Sequence, residues 1–398
     1  MQMPRATRVL ITTAAALGHF HPLAAAASAL RESGAQVKFA CSPSFCRRVV
    51  ESGFEAIPCG MDWQSQDLSG TWPDFRLVPR HERNAWINSV VWARRLPEAM
   101  IPDLIEIIDG WKPSLILSGR AELAGSTVGE VLGVPYATAS AGRVIGLKEF
   151  ITSTRQGRDE LRRNLGLGPD PSGSSLYRHL YLNYIPDMFL PKEDFFLPVR
   201  HNLRPAFFED PVDGVPDWLV RLGPRSVIYV TLGSILGEQW SHVFGIVVDA
   251  VSCLGHTVIV TVGQGVDTSG IGSRFPGVHV ATYIPQRFIL ERAALVICHG
   301  GINTVLGTLS HGVPSLIMPT EQSDQRWNAE TCKRLGAGLS IDITDADRVS
   351  IREAASTVLT EHSYQRSARD CMAEMLQLPS MERSVELLLR LASDRDPG

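Results

Sequence analysis

The chain has 398 residues, of which 44% are hydrophobic and 20% charged, with a formal net charge of −4. That length exceeds one ordinary hydrophobic core and suits two domains, and the composition excludes a disordered or fibrous chain. A slightly negative balance gives no general attraction to nucleic acid or to an anionic membrane.

Residues 1–8 lead into the apolar run Val9-Leu10-Ile11-Thr12-Thr13, and the alanine-rich stretch 14–30 is broken by Gly18, His19, His21 and Pro22. Neither a signal peptide nor a membrane span fits this pattern, so a cytoplasmic protein without integral membrane association is expected. A helix is predicted from about Pro22 to Ser33, where Gly34 stops it, with His21 at or near its N-cap. Strand 37–41, a helix around 45–51 stopped at Gly53, strand 114–118, a helix over about 122–132 and strand 134–138 follow. Seven prolines from 186 to 224 mark a linker. The pattern restarts with strand 227–234, a helix near 238–254 and strands 257–261, 278–281 and 294–298. Repeated β-α alternation predicts parallel sheets flanked by helices, hence an α/β protein of two Rossmann-like domains. Seven cysteines, at 41, 46, 59, 253, 298, 332 and 371, form no CxxC pair and are expected to be free, buried thiols.

The most informative stretch is the strand ending at Cys298 and the turn His299-Gly300-Gly301-Ile302-Asn303-Thr304. Helix-start N–H groups are unpaired and carry the positive end of the helix dipole, so a phosphate fits there. Gly300 and Gly301 let the backbone approach a ligand; His299, Asn303 and Thr304 add side-chain contacts. A plain β-turn-α connection would use the same glycines for packing alone. Further on, Val313–Pro319 reads as a strand whose mouth carries Asp324-Gln325-Arg326-Trp327-Asn328-Ala329. Asp324 can accept two hydroxyl hydrogen bonds and Gln325 can both donate and accept, as a sugar ring requires; helix capping is the other role open to Asp324. Tyr283-Ile284-Pro285-Gln286 would set an aromatic ring beside the same crevice, where a base could stack.

Taken together, these three segments resemble the donor-binding signature of nucleotide-sugar-dependent glycosyltransferases with the GT-B fold, and among them the bacterial antibiotic and macrolide glycosyltransferases. The likeness spans nearly the whole chain, since the opening strand followed by Gly18-His19-Phe20-His21-Pro22 also matches. It implies two Rossmann-like domains facing across a cleft: an acceptor-binding domain over 1–205, a donor-binding domain over 206–380, and a C-terminal helix in 381–398 packing back on the first. It further implies that His299 meets the α-phosphate, that Gly300, Gly301, Asn303 and Thr304 hold the diphosphate, and that Tyr283 and Ile284 hold the base. Asp324 and Gln325 would hold sugar hydroxyls, with Gly233 and Ser234 as further diphosphate contacts. The segment 320–323 is one residue longer than the family pattern, which affects the aim of Asp324.

Glycosyl transfer needs a base for the acceptor proton and stabilisation of the departing nucleoside diphosphate. His19 stands after the first strand, where open α/β sheets bind ligands, and its imidazole has the right acid-base strength. The resemblance makes it the general base. The aspartate that orients this base in many relatives falls on Gly119; either Glu122 takes that role, or the base acts unaided, or the chemistry differs. Trp63, Trp72, Phe75 and Trp86, with Leu147 and Phe150, would line an apolar acceptor pocket, or belong to ordinary core. No cofactor and no metal is expected, since no His/Asp/Cys cluster has ligand spacing. The reading is an inverting transferase moving a sugar, such as a deoxysugar, from a dTDP- or UDP-sugar to a hydrophobic small-molecule acceptor such as a polyketide or macrolide. Alternatives are a non-catalytic GT-B partner of another transferase, a nucleotide-sugar epimerase, or a lipid-acceptor transferase; a homodimer is left open.

Overall fold

The computed structural model describes residues 7–63, 68–140, 146–191, 197–210, 215–233, 241–263, 268, 271, 275–320 and 323–393. Ser234 and residues 321–322 therefore lie outside the described residues. The chain divides into two compact units, Met1–Phe208 with Leu378–Gly398, and Glu209–Gln377.

Unit 1 is built on seven strands: β1 (Arg8–Thr12), β2 (Gln36–Cys41), β3 (Glu55–Pro58), β4 (Leu115–Gly119), β5 (Tyr136–Ala139), β6 (Leu180–Asn183) and β7 (Arg200–Asn202). Their order is β3-β2-β1-β4-β5-β6-β7, and every pair is parallel. Unit 2 repeats the plan with β8 (Val227–Thr231), β9 (Thr257–Thr261), β10 (Val278–Ala281), β11 (Ala293–Cys298), β12 (Ser315–Ile317) and β13 (Gly338–Ser340), in the order β10-β9-β8-β11-β12-β13. The central strands are buried throughout, which is why they read as unbroken Val/Ile/Leu runs and not as alternating patterns. In each sheet the winding reverses beside the first strand, between β1 and β4 and between β8 and β11. Loops at the carboxyl ends of those strands diverge and leave a crevice for ligands.

Helix α1 covers Leu17–Glu32, with Ala16 as its N-cap. It starts a full turn before the predicted Pro22, so His21 is inside the helix and not at its cap. Pro22 removes one hydrogen bond to the Gly18 carbonyl, a cost set against burial of Phe20, Leu23, Ala24, Ala27 and Leu30 in the core. Phe20 packs against the rings of Phe39, Phe45, Phe54 and Phe208, the packing that extends the helix. Helix α2 (Ala124–Leu132) begins two residues later than the sequence suggests, leaving Glu122 ahead of it. Helix α3 (Leu147–Asn164) packs on the π-helical stretch Ile87–Arg95 and carries the buried Arg158, paired with Asp170. In unit 2, α4 (Gln286–Leu290), α5 (Ile302–Ser310) and α6 (Ser323–Arg334) follow β10, β11 and β12. The last helix, α7 (Met381–Ser393), lays Val385, Leu388 and Ala392 on the unit 1 core beside α1.

All seven cysteines are free; Cys253, in the turn after the helix Ser241–Val251, is exposed, and Cys46 is half-buried. Among the described residues no helix is long and apolar enough to cross a membrane.

Candidate functional site

The turn after β11 is the centre of unit 2. Gly301 is the N-cap of α5 and offers no side chain to the first turn, and N–H groups at a helix start suit an anion. The imidazole of His299 is wedged between two glycines. A Cβ on Gly233 would stand 2.6 Å from its Cε1, and one on Gly301 would stand 2.5 Å from its Nε2. Gly233 follows β8 with φ of +79°, so the loops at the reversal of the sheet clasp one ring from both sides. Burial pushes the His299 pKa down to about 4, against a weaker upward pull from the Thr231 backbone, and keeps the ring neutral near pH 7. Asn303 is half-buried and Thr304 buried in the first turn of α5.

Helix α6 approaches the same turn. Asp324 lies in its first turn, half-buried. Gln325 is buried, and its Oε1 accepts from the Thr320 N–H at 3.0 Å and the Thr320 hydroxyl at 2.8 Å. The loop leaving β12 curls back onto it, which no sequence spacing reveals. Gly300, with φ of +91°, touches α6 directly; a Cβ there would meet Gln325 O at 3.0 Å and Ile317 Cγ2 at 2.8 Å. Asn328 closes the contact by donating from Nδ2 to the Gly300 carbonyl at 2.9 Å. That role was not read from the sequence; the available signal was a polar residue one helical turn beyond Gln325. Tyr283 is 46% exposed after β10, whereas Ile284 is buried and Gln286 Nε2 reaches the Tyr229 hydroxyl at 3.4 Å.

In unit 1, the Thr12 and Ser118 hydroxyls, from β1 and β4, bond each other at 2.8 Å beside Glu122. The Glu122 carboxylate accepts from the N–H groups of Ala124 at 2.6 Å and Gly125 at 3.1 Å, so both oxygens cap α2. Burial raises its pKa, while Thr12 and those two N–H groups pull it back. Glu122 also lines a narrow, mostly apolar crevice with Met61, Trp63, Trp92 and Met100. His19, in the first turn of α1, faces this aromatic group through Trp92.

The candidate acceptor residues fall into two sets. Trp63 and Trp72 pack together with Trp92, and Phe75 pairs with Trp86 on a more exposed flank. Leu147 and Phe150 are core instead, 1% and 2% exposed in a separate cluster with Tyr177 and Tyr181, because α3 turns that apolar stripe inward. Among the described residues, no group of three or more His, Cys, Asp or Glu is placed to hold a metal ion.

Comparison with known proteins accords with this arrangement. The N-terminal and C-terminal domain descriptions of the erythromycin biosynthesis protein CIII-like family match residues 28–169 and 245–391. Over its full length the chain is similar to the aclacinomycin-T 2-deoxy-L-fucose transferase of Streptomyces galilaeus, 25% identical over 98% of each chain. It is equally similar to the erythronolide mycarosyltransferase of Saccharopolyspora erythraea, 25% identical over 96% of this chain and 98% of that one. The crystal structure of the glycosyltransferase VinC in complex with dTDP superposes with a TM-score of 0.77, at 22% identity, covering 97% of this chain and 99% of VinC. With both domains matched over well more than half of its residues, the chain belongs to the erythromycin biosynthesis protein CIII-like family and is a glycosyltransferase of the GT-B fold.

Proposed function

We propose that this glycosyltransferase moves a deoxysugar from a dTDP- or UDP-sugar, with inversion, to a hydrophobic natural product such as a polyketide or macrolide. The carrying observation is the neutral His299 ring held between Gly233 and Gly301 at the uncapped start of α5. A ring N–H and several backbone N–H groups suit a diphosphate, with Asn303 and Thr304 beside them, and this donor set acts without a metal. Unit 2 is then the donor domain, with Tyr283 and Ile284 toward the base and Asp324 and Gln325 toward the sugar. The names of the two transferases and the dTDP bound by VinC support a thymidine nucleotide and a deoxysugar.

Unit 1 is then the acceptor domain. Trp86 and Trp92, partly exposed and packed on the buried Trp63 and Trp72, offer flat apolar faces to an aglycone, and His19 stands against Trp92. The acceptor oxygen bonds to the anomeric carbon as the diphosphate oxygen leaves, and His19 takes the hydroxyl proton. Glu122 supports the floor of this site by fixing the start of α2. The experiment is direct: titrate the protein with dTDP, UDP and NAD by calorimetry, then assay transfer from dTDP-deoxysugars to aromatic polyketide and macrolide aglycones. Binding of a nucleoside diphosphate with sugar transfer supports the reading; response to NAD alone, or binding without transfer to any acceptor, overturns it.

A further inference from the structure

Asn328 makes a contact whose consequence lies in the next peptide. Its side chain is wholly buried, and Nδ2 donates to the Gly300 carbonyl at 2.9 Å. That carbonyl belongs to the Gly300–Gly301 peptide, and no cis peptide occurs among the described residues. In a trans peptide the N–H points opposite to the C=O. Holding the Gly300 oxygen toward α6 therefore turns the Gly301 N–H away from α6. Gly301 is the N-cap of α5, whose first turn lacks a side-chain cap.

We infer that Asn328 is a positioning residue that aims the Gly301 N–H at the donor diphosphate and braces the sugar-facing helix α6 against the phosphate turn. The inference rests on the proposed donor site. Two further observations support it. Gly300 sits at φ of +91° with no room for a Cβ between Ile317 and Gln325 O, so the peptide is gripped by backbone on one side and by Asn328 on the other. Among the described residues, the Asn328 Oδ1 is buried without a hydrogen-bond partner. A residue needed only to fill space there would be better apolar, since an unmatched buried amide oxygen is destabilising. What the amide supplies and a hydrocarbon cannot is the donor to Gly300.

The test uses dTDP or UDP, whichever the wild type binds, and three proteins. Asn328→Asp has the same shape but, when ionised, has no donor; Asn328→Leu has none at any pH. Both should bind the nucleotide about 10-fold or more weakly at pH 7.5, the scale of one charge-assisted hydrogen bond. Affinity of Asn328→Asp relative to wild type should recover as pH falls and the introduced carboxyl regains a proton to donate, while Asn328→Leu stays weak. In the wild type, labelled with 15N-glycine, the Gly301 amide proton should move downfield on saturation with the nucleotide. Wild-type affinity in both folded variants, or a Gly301 amide indifferent to the nucleotide, overturns the inference. The amide measurement needs no variant to fold. Should the wild type bind no nucleoside diphosphate, it is the donor-site reading that fails.

Discussion

The imidazole of His19 lies against the indole of Trp92, with ring centroids 5.6 Å apart. His21, two residues further along α1, is turned instead to Phe208, with centroids 6.1 Å apart. Two helical steps rotate a side chain by roughly 200°, so only one of the pair faces the tryptophan group. If His19 takes the acceptor proton, His19→Ala should slow the chemical step by about 10²–10⁴-fold and leave donor affinity near wild type. His21→Ala should do much less to the chemical step. Single-turnover rates with an alcohol and with a phenol acceptor check this, the phenol losing less because it is the stronger acid. Full activity of His19→Ala on an alcohol would remove the base from His19.

The wedge around His299 gives a second prediction. His299→Ala should weaken nucleoside diphosphate binding by about 1–3 kcal/mol, the range for a hydrogen bond to a charged group. Gly301→Ala should weaken it too, since its methyl would clash with Nε2, 2.5 Å away, and push the ring aside, while its φ of −60° leaves the backbone unstrained. The double variant should be no weaker than His299→Ala, because the ring that the methyl displaces is gone. Additive losses by calorimetry would mean that Gly301 acts on its own.

Sugar recognition should separate from nucleotide recognition at Asp324. Asp324→Ala is expected to impair turnover of the full sugar nucleotide and leave the affinity for the free nucleoside diphosphate close to wild type, because only the sugar loses a partner. Equal losses for both ligands would assign Asp324 to the fold of α6.

Asp170 governs acid stability in unit 1. Burial alone would raise its pKa, but hydrogen bonds from the Ser175 hydroxyl and N–H and from Ser172 and Ser174 overcome this and hold it at about 2, below the ordinary 3.8. A folded-state value below the unfolded one favours the fold above the unfolded value, and the benefit disappears as pH falls from about 3.8 through 2. The difference corresponds to about 2 kcal/mol at neutral pH. Asp170→Asn should therefore be less stable at pH 7 by at least that amount, since Arg158 is also left buried without its anion, and should show a flatter decline in acid. Urea unfolding between pH 2 and 7 measures both; parallel pH profiles for the two proteins would refute it.

The β-α alternation, the restart near residue 227 and the glycine turn from His299 into a helix were legible in the sequence. Buried parallel strands need continuous apolar runs, and a turn that admits an anion needs glycines at fixed places, so both leave local marks. Tertiary structure decided what depends on distant partners. Packing of Phe20 against four other phenylalanines carries α1 a turn past Pro22 toward its start and sends His19 and His21 to different neighbours. Leu147 and Phe150 joined the core and not the tryptophan group, because α3 rotates about contacts far away in sequence. Gln325 turned to Thr320, Glu122 to the start of α2, and Asn328 to Gly300. A side chain's type lists the bonds it can form, whereas the partner is chosen by which backbone groups the folded sheet leaves unpaired within reach.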